Sequence, residues 1–173
     1  MDYTDLMKLI KERRSIRRFT KQSLGRDRLL QITEAALWAP TGCNIQPWKF
    51  HIICEKPDLL RQLTNVMVGI SHAPPAIICI TIDSELEKSR KGVVGEEGCG
   101  LIDAGICAQN MMLAAYSLNL GSCLFRSFDA DAVSSLLALP KSQTPELMVA
   151  LGYPLNANVP VPPRRCLDEV VQW

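Results

Sequence analysis

Ala76-Ile77-Ile78-Cys79-Ile80-Thr81-Ile82 is a continuous apolar run of strand length, relieved only by Thr81. A strand with one wet face alternates apolar and polar residues. One this uniform is covered on both faces, so it belongs inside a layered structure. Its surroundings agree. The prolines of His72-Ala73-Pro74-Pro75 break the chain before it, and a charged, glycine-containing surface segment, residues 84–100, follows. Residues 48–54 alternate, with Trp48, Phe50 and Ile52 opposite Lys49, His51 and Ile53, as a strand does. Residues 122–126 read as a short strand and residues 146–151 as another buried one, closed by Gly152-Tyr153-Pro154.

Helical spacing fills the gaps. Leu6, Leu9, Ile10 and Arg13 share one face of a first helix that Asp2 or Thr4 can cap. After a turn at residues 23–27, a second helix carries Leu29, Leu30, Thr33, Ala36 and Leu37 on one face. It stops by Ala39, because Pro40 disfavours α geometry in the residue before it. Residues 56–67 form a helix with Asp58 near its start and Leu59, Leu60, Leu63 and Met67 inward. Residues 101–118 form the longest helix. It is apolar nearly all round, which predicts burial on every side, and Gly105 permits close approach. Asn119-Leu120-Gly121 signals its end. Asp129 caps a helix running to Pro140. Beyond Leu155, Pro160, Pro162 and Pro163 impose an extended course with no core of its own, suited to another surface such as a second subunit. The expectation is one domain over residues 1–173, a mixed α/β layered structure with a small sheet and an arm at residues 155–173.

The 173 residues carry a net charge of +1, which gives no global field for nucleic acid or anionic membrane. Seven scattered cysteines without Cys-x-x-Cys argue against a disulfide framework, a zinc site or an iron–sulfur cluster, and for a reducing, cytoplasmic setting. The N-terminus has no apolar signal core, and the longest apolar run is too short to span a bilayer.

Three segments can carry chemistry. Arg13-Arg14-Ser15-Ile16-Arg17-Arg18-Phe19 places four guanidiniums and a hydroxyl directly after the first helix. Such a patch suits a small phosphate ligand; it equally suits a solvated helix end. It lies in no P-loop, and Gly95, Gly98 and Gly100 make no dinucleotide-binding turn. Pro40-Thr41-Gly42-Cys43-Asn44-Ile45-Gln46-Pro47-Trp48 offers a hydroxyl and two amides between rigid prolines, matching the edge of a heteroaromatic ring. It is also a plain helix-to-strand turn by composition. Arg164 and Arg165 follow a Pro-Pro pair, either as solvated charges or as arginines with a defined place to reach.

Together these segments resemble the FMN-dependent nitroreductase family, in the family's order and over nearly the whole chain. The resemblance runs through Arg13 to Phe19 and Ala39 to Trp48. It continues through Asp103-Ala104-Gly105-Ile106-Cys107-Ala108-Gln109-Asn110, Leu120-Gly121-Ser122-Cys123, Leu151-Gly152-Tyr153-Pro154, and Arg164 ahead of Leu167-Asp168-Glu169-Val170-Val171. It implies an α+β fold: a three-layer α/β/α sandwich with a small mixed, mainly antiparallel sheet and a C-terminal arm exchanged with the partner subunit. It implies a homodimer with FMN in the interface. Arg13, Arg14 and Ser15 would hold the phosphate and ribityl chain, and Arg17 would approach the pyrimidine edge. Pro40, Thr41, Asn44 and Gln46 would come from the partner. Gly121 and Ser122 would line the ring, and Arg164 and Arg165 would close on the phosphate.

The implied activity is ping-pong electron transfer from NADH or NADPH through flavin N5 to a nitroaromatic, quinone or similar small-molecule acceptor. The flavin carries the chemistry, so no protein nucleophile or base is required and no metal is called for. The alternative is a non-catalytic flavin-binding or sensing protein of the same fold; dehalogenation or flavin breakdown would need lid residues not found here. His51 and His72 read as structural, Cys43 and Cys123 as small hydrophobes, Trp48 as core, and Glu96 and Glu97 as a solvated segment. The chain is short for the family, and the compact stretch between Ile82 and Gly100 implies an open site suited to bulky or varied acceptors.

Overall fold

The computed structural model describes residues 2–88, 99–156 and 158–173. Among the described residues, six α-helices, α1 Tyr3–Glu12, α2 Arg26–Leu37, α3 Pro57–Asn65, α4 Ser84–Lys88, α5 Cys99–Ser117 and α6 Ala130–Leu136, accompany four strands, β1 Trp48–Cys54, β2 Ala76–Asp83, β3 Gly121–Phe125 and β4 Gln143–Gly152. The strands form one antiparallel sheet in the order β1-β2-β4-β3. The expected mixed pairing is absent from these four strands; an isolated parallel bridge joins Ser15 to Ser122 at the edge of β3.

The apolar run at residues 76–82 explains the layering. Ala76, Ile78, Ile80 and Ile82 point into a core shared with α2 and α5. Ile77 and Cys79 point into a second core shared with α3 and α6. Every residue from Ala76 to Ile82 is buried, so β2 is the middle of a three-layer α/β/α sandwich. Trp48, Phe50 and Ile52 of β1 join the first core and Ile53 the second, as the alternation predicts.

Several expectations shift in detail. α2 buries Leu29, Ile32 and Ala36, while Leu30 and Leu37 are exposed: packing against α5 covers the side centred on Ile32, turned from the expected face. α3 and α6 are shorter than expected, and β4 is longer. Asp2 caps α1 in a reciprocal box with Asp5, and the Asp129 carboxylate caps α6. Asn119, at φ 60°, takes the left-handed position that ends α5, leaving Gly121 free to enter β3. α5 is not buried on every side. Ile102 is 64 % exposed, Leu101 is also exposed, and a Cβ on Gly105 would meet nothing within 4 Å. One flank of this apolar helix is therefore open within a single chain.

The charged segment after β2 begins as α4. The expectations for Gly95, Glu96, Glu97, Gly98 and the compact crossing to α5 fall within residues 89–98, outside the described residues. From Leu155 onward the described residues hold only a 3-10 turn, Leu167–Glu169, and nearly all are exposed. No helix among the described residues is long and apolar enough to cross a membrane.

Candidate functional site

The basic segment is clamped to the outer edge of β3. The Ile16 amide donates to the Ser122 carbonyl at 2.8 Å, and the Thr20 amide donates to the Tyr153 carbonyl at 2.9 Å. Gly121 makes the approach possible: a Cβ there would lie 2.9 Å from Ile16 Cβ. Ile16 is buried and anchors the segment, so its neighbours Arg13, Ser15 and Arg17 are held in place beside the sheet.

Beside this clamp lies a cavity of about 490 Å³ lined by Glu12, Arg13, Arg14, Ile16, Tyr116, Ser117, Asn119, Leu120, Gly121, Ser122 and Pro154. Four of the expected residues, Arg13, Arg14, Gly121 and Ser122, thus meet on one wall. Arg13 Nε is buried there with no hydrogen-bond partner. Leaving a buried donor unsatisfied costs about 1–3 kcal/mol, more for a charged group, so Arg13 is held beside the cavity with hydrogen-bonding capacity unspent. Arg14 is different. Its Nη1 donates to the carbonyls of Lys11 and Arg13 and its Nε to that of Val159 at 3.3 Å, so it caps α1 and tethers the root of the C-terminal segment.

Residues missed from sequence complete the wall. The Tyr116 hydroxyl donates to the Glu12 carboxylate at 2.9 Å. This bond, with lesser help from desolvation and the Glu12 charge, pushes the phenol above its usual range and keeps it a donor. No sequence spacing links positions 12 and 116; α1 crossing α5 does. Cys123 faces the second core. Burial pushes its thiol up, while Arg17, the Ser15 hydroxyl and Arg13 pull it down. His51 Nε2 lies 3.1 Å from Thr81 Oγ1 and 3.0 Å from Gln143 Oε1, a satisfied strand histidine.

The loop after α2 is held elsewhere. Thr41 Oγ1 donates to the buried carboxylate of Asp103 at 2.7 Å. Cys43, Asn44 and Gln46 all have positive φ, 50°, 55° and 54°, and their side chains are exposed, as is Pro40. Asp103 and Tyr116 are thirteen residues apart on α5, about 20 Å along its axis. Within one chain the loop and the arginine cavity therefore sit at opposite ends of α5. Arg164 and Arg165 are not brought to the cavity either. Arg164 donates to the carbonyls of Pro162 and Pro163, and Arg165 pairs with Glu169.

A model of the Nitroreductase family matches residues 10–78 and 68–153. A Thermus thermophilus protein named NADH dehydrogenase is 30 % identical over 94 % of this chain and 92 % of its own length. A solved Desulfovibrio desulfuricans structure, described as a nitroreductase in complex with FMN, superimposes with a TM-score of 0.81 at 30 % identity, covering 96 % of this chain and 94 % of that one. A Streptococcus pneumoniae nitroreductase-family structure gives a TM-score of 0.84 at 22 % identity, a likeness of fold.

Proposed function

This chain belongs to the nitroreductase family, and we propose that it works as an FMN-dependent oxidoreductase, taking electrons from NADH or NADPH and passing them, in ping-pong fashion, to a nitroaromatic, quinone or similar acceptor. The observation that carries this reading is the unpartnered, buried Nε of Arg13 on the cavity wall. A flavin phosphate bears about −1.5 to −2 charges at neutral pH and supplies the acceptor that Arg13 lacks. When bound, FMN supplies the hydride acceptance and return that no side chain here provides.

The chain's own residues bind and orient. Arg13 meets the phosphate, with the Ser15 hydroxyl as a second donor. Gly121 and Ser122, on the cavity lining, would border the flavin ring. The exposed guanidinium of Arg17 supplies positive charge where negative charge grows at the pyrimidine edge. The negative charge of Glu12 is engaged by the Tyr116 hydroxyl.

A second copy completes the site. The separation of loop and cavity along α5 prevents one chain from closing over one flavin. The open flank of α5 and the 81 % exposed Trp38 offer an apolar surface for a twin. In such a homodimer Pro40, Thr41, Asn44 and Gln46 arrive from the partner, and residues 155–173 cross over to bring Arg164 and Arg165 to the phosphate. The whole chain acts as one FMN-binding unit of the cytoplasm.

The test is optical. Purified protein should be yellow, NADH or NADPH should bleach it without oxygen, and an acceptor should restore the colour. Colourless protein that refuses added FMN would end the proposal. A yellow protein that neither nicotinamide bleaches would be a flavin binder without turnover.

A further inference from the structure

Asp103, Cys107 and Asn110 lie on α5 at spacings of four and three, on the side that meets α2. All three reach the C-terminal end of α2 or the loop behind it. Asn110 Nδ2 donates to the Ala35 carbonyl at 3.1 Å, and the Cys107 thiol lies 3.5 Å from the Ala36 carbonyl. These serve carbonyls at a helix end. Asp103 serves the loop instead. It is only 4 % exposed, and its Oδ2 accepts from Thr41 Oγ1 at 2.7 Å.

The direction of this contact is forced. A carboxylate can only accept, so Thr41 spends its one proton on Asp103 and offers a lone pair to the Gln46 amide, 3.2 Å away. The relay spans the turn that holds Cys43, Asn44 and Gln46 in left-handed conformations. Non-glycine residues kept there are strained and persist only where their surroundings over-determine them. Burial supplies little of that here, because no residue from Pro40 to Gln46 is buried.

We infer that Asp103 is a positioning residue: through Thr41 and the Gln46 backbone amide it locks the strained turn that presents the exposed Asn44 side chain to the flavin of a second subunit, while Gln46 Nε2 donates back to the Asn44 carbonyl at 3.5 Å. The inference rests on the flavin reading above and adds to it the buried carboxylate that sets the loop's geometry.

Asp103→Ala, Thr41→Val, Thr41→Ser and the double variant Asp103→Ala/Thr41→Val are compared as full-length proteins. FMN affinity is measured first, then anaerobic bleaching by NADH at saturating FMN. Asp103→Ala, which removes the acceptor, and Thr41→Val, which removes the donor, should each weaken FMN binding about tenfold and slow bleaching of the loaded protein, leaving the KM for NADH unchanged. The double variant should match the worse single one, because both cut the same relay. Thr41→Ser should stay within about twofold of the parent, since it keeps the hydroxyl. Parental bleaching in loaded Thr41→Val, multiplying losses in the double variant, or Thr41→Ser as poor as Thr41→Val would each overturn the inference. Should Asp103→Ala not fold, the two Thr41 variants decide alone. A parent protein that takes up no FMN would overturn the flavin reading itself, and its missing colour tells that case apart.

Discussion

Arg13 and Arg14 are adjacent and chemically identical, yet the backbone gives them different tasks. Arg13 lines the cavity and leaves its buried Nε unpartnered; Arg14 spends its donors on the carbonyls of Lys11, Arg13 and Val159. Arg13→Ala should weaken FMN binding about 10- to 100-fold, with little change in the unfolding midpoint, by flavin fluorescence titration. Arg14→Lys keeps the charge but not the fork. It should retain FMN better than Arg13→Ala and make the chain after Val159 more open to limited proteolysis. The cationic patch was legible because charge is a property of residue type. The division of labour was not, because it depends on which way each side chain leaves the end of α1. The thiols are equally contextual. Burial pushes Cys79 up to about 12, and burial with the Asp103 charge does the same for Cys107. Their ordinary value is 9.0, so above that pH the unfolded chain ionises them while the folded chain does not. Protons are then bound more tightly in the folded state, and stability falls as pH rises from 9.0 through about 12. A series of thermal midpoints across that window should show the fall, and Cys79→Ala with Cys107→Ala should flatten it.

At the scale of elements, the edge of β3 governs the site. Strand, glycine and basic segment form one unit, because Ile16 can reach the sheet only where Gly121 lacks a side chain. Gly121→Ala should destabilise the protein by about 1–3 kcal/mol in urea unfolding and loosen FMN together with it. Ile16→Ala should recover part of the flavin affinity in the double variant by making room for the new methyl; additive losses would show that the contact is not what matters. The strands were readable because their pattern has a period of two and β2 has none, which demands cover on both faces. The face of α2 was harder. Ile32, at the centre of the buried stripe, falls outside the predicted face, while Leu30 and Leu37 fall outside the core. Helical periodicity names a broad apolar arc, and only the position of α5 selects the part of it that is covered.

At the scale of the whole molecule, the proposed homodimer would have each chain contribute half a site at each end of α5. A mixed dimer tests this. Arg13→Ala chains and Asn44→Ala chains, each poor in FMN alone, are unfolded together and refolded. Mixed dimers then contain one doubly damaged site and one intact site, so FMN binding should partly return. No recovery would mean that each chain builds its site alone. Deleting residues 160–173 should lower FMN retention and shift the sedimenting species from twice 19.2 kDa towards a single chain.

The layered α/β character, the succession of strands and helices, the cationic patch after the first helix and the proline-bounded loop at residues 40–47 were all legible in the sequence. These follow from hydropathy period, proline placement and residue charge, all of which are local. Tertiary structure alone decided that Arg13 faces the cavity while Arg14 ties down the arm, that Tyr116 engages Glu12, and that a buried Asp103 reaches Thr41 sixty-two positions away. Those contacts join residues far apart in the chain, and no local pattern records which helix will lie across which strand.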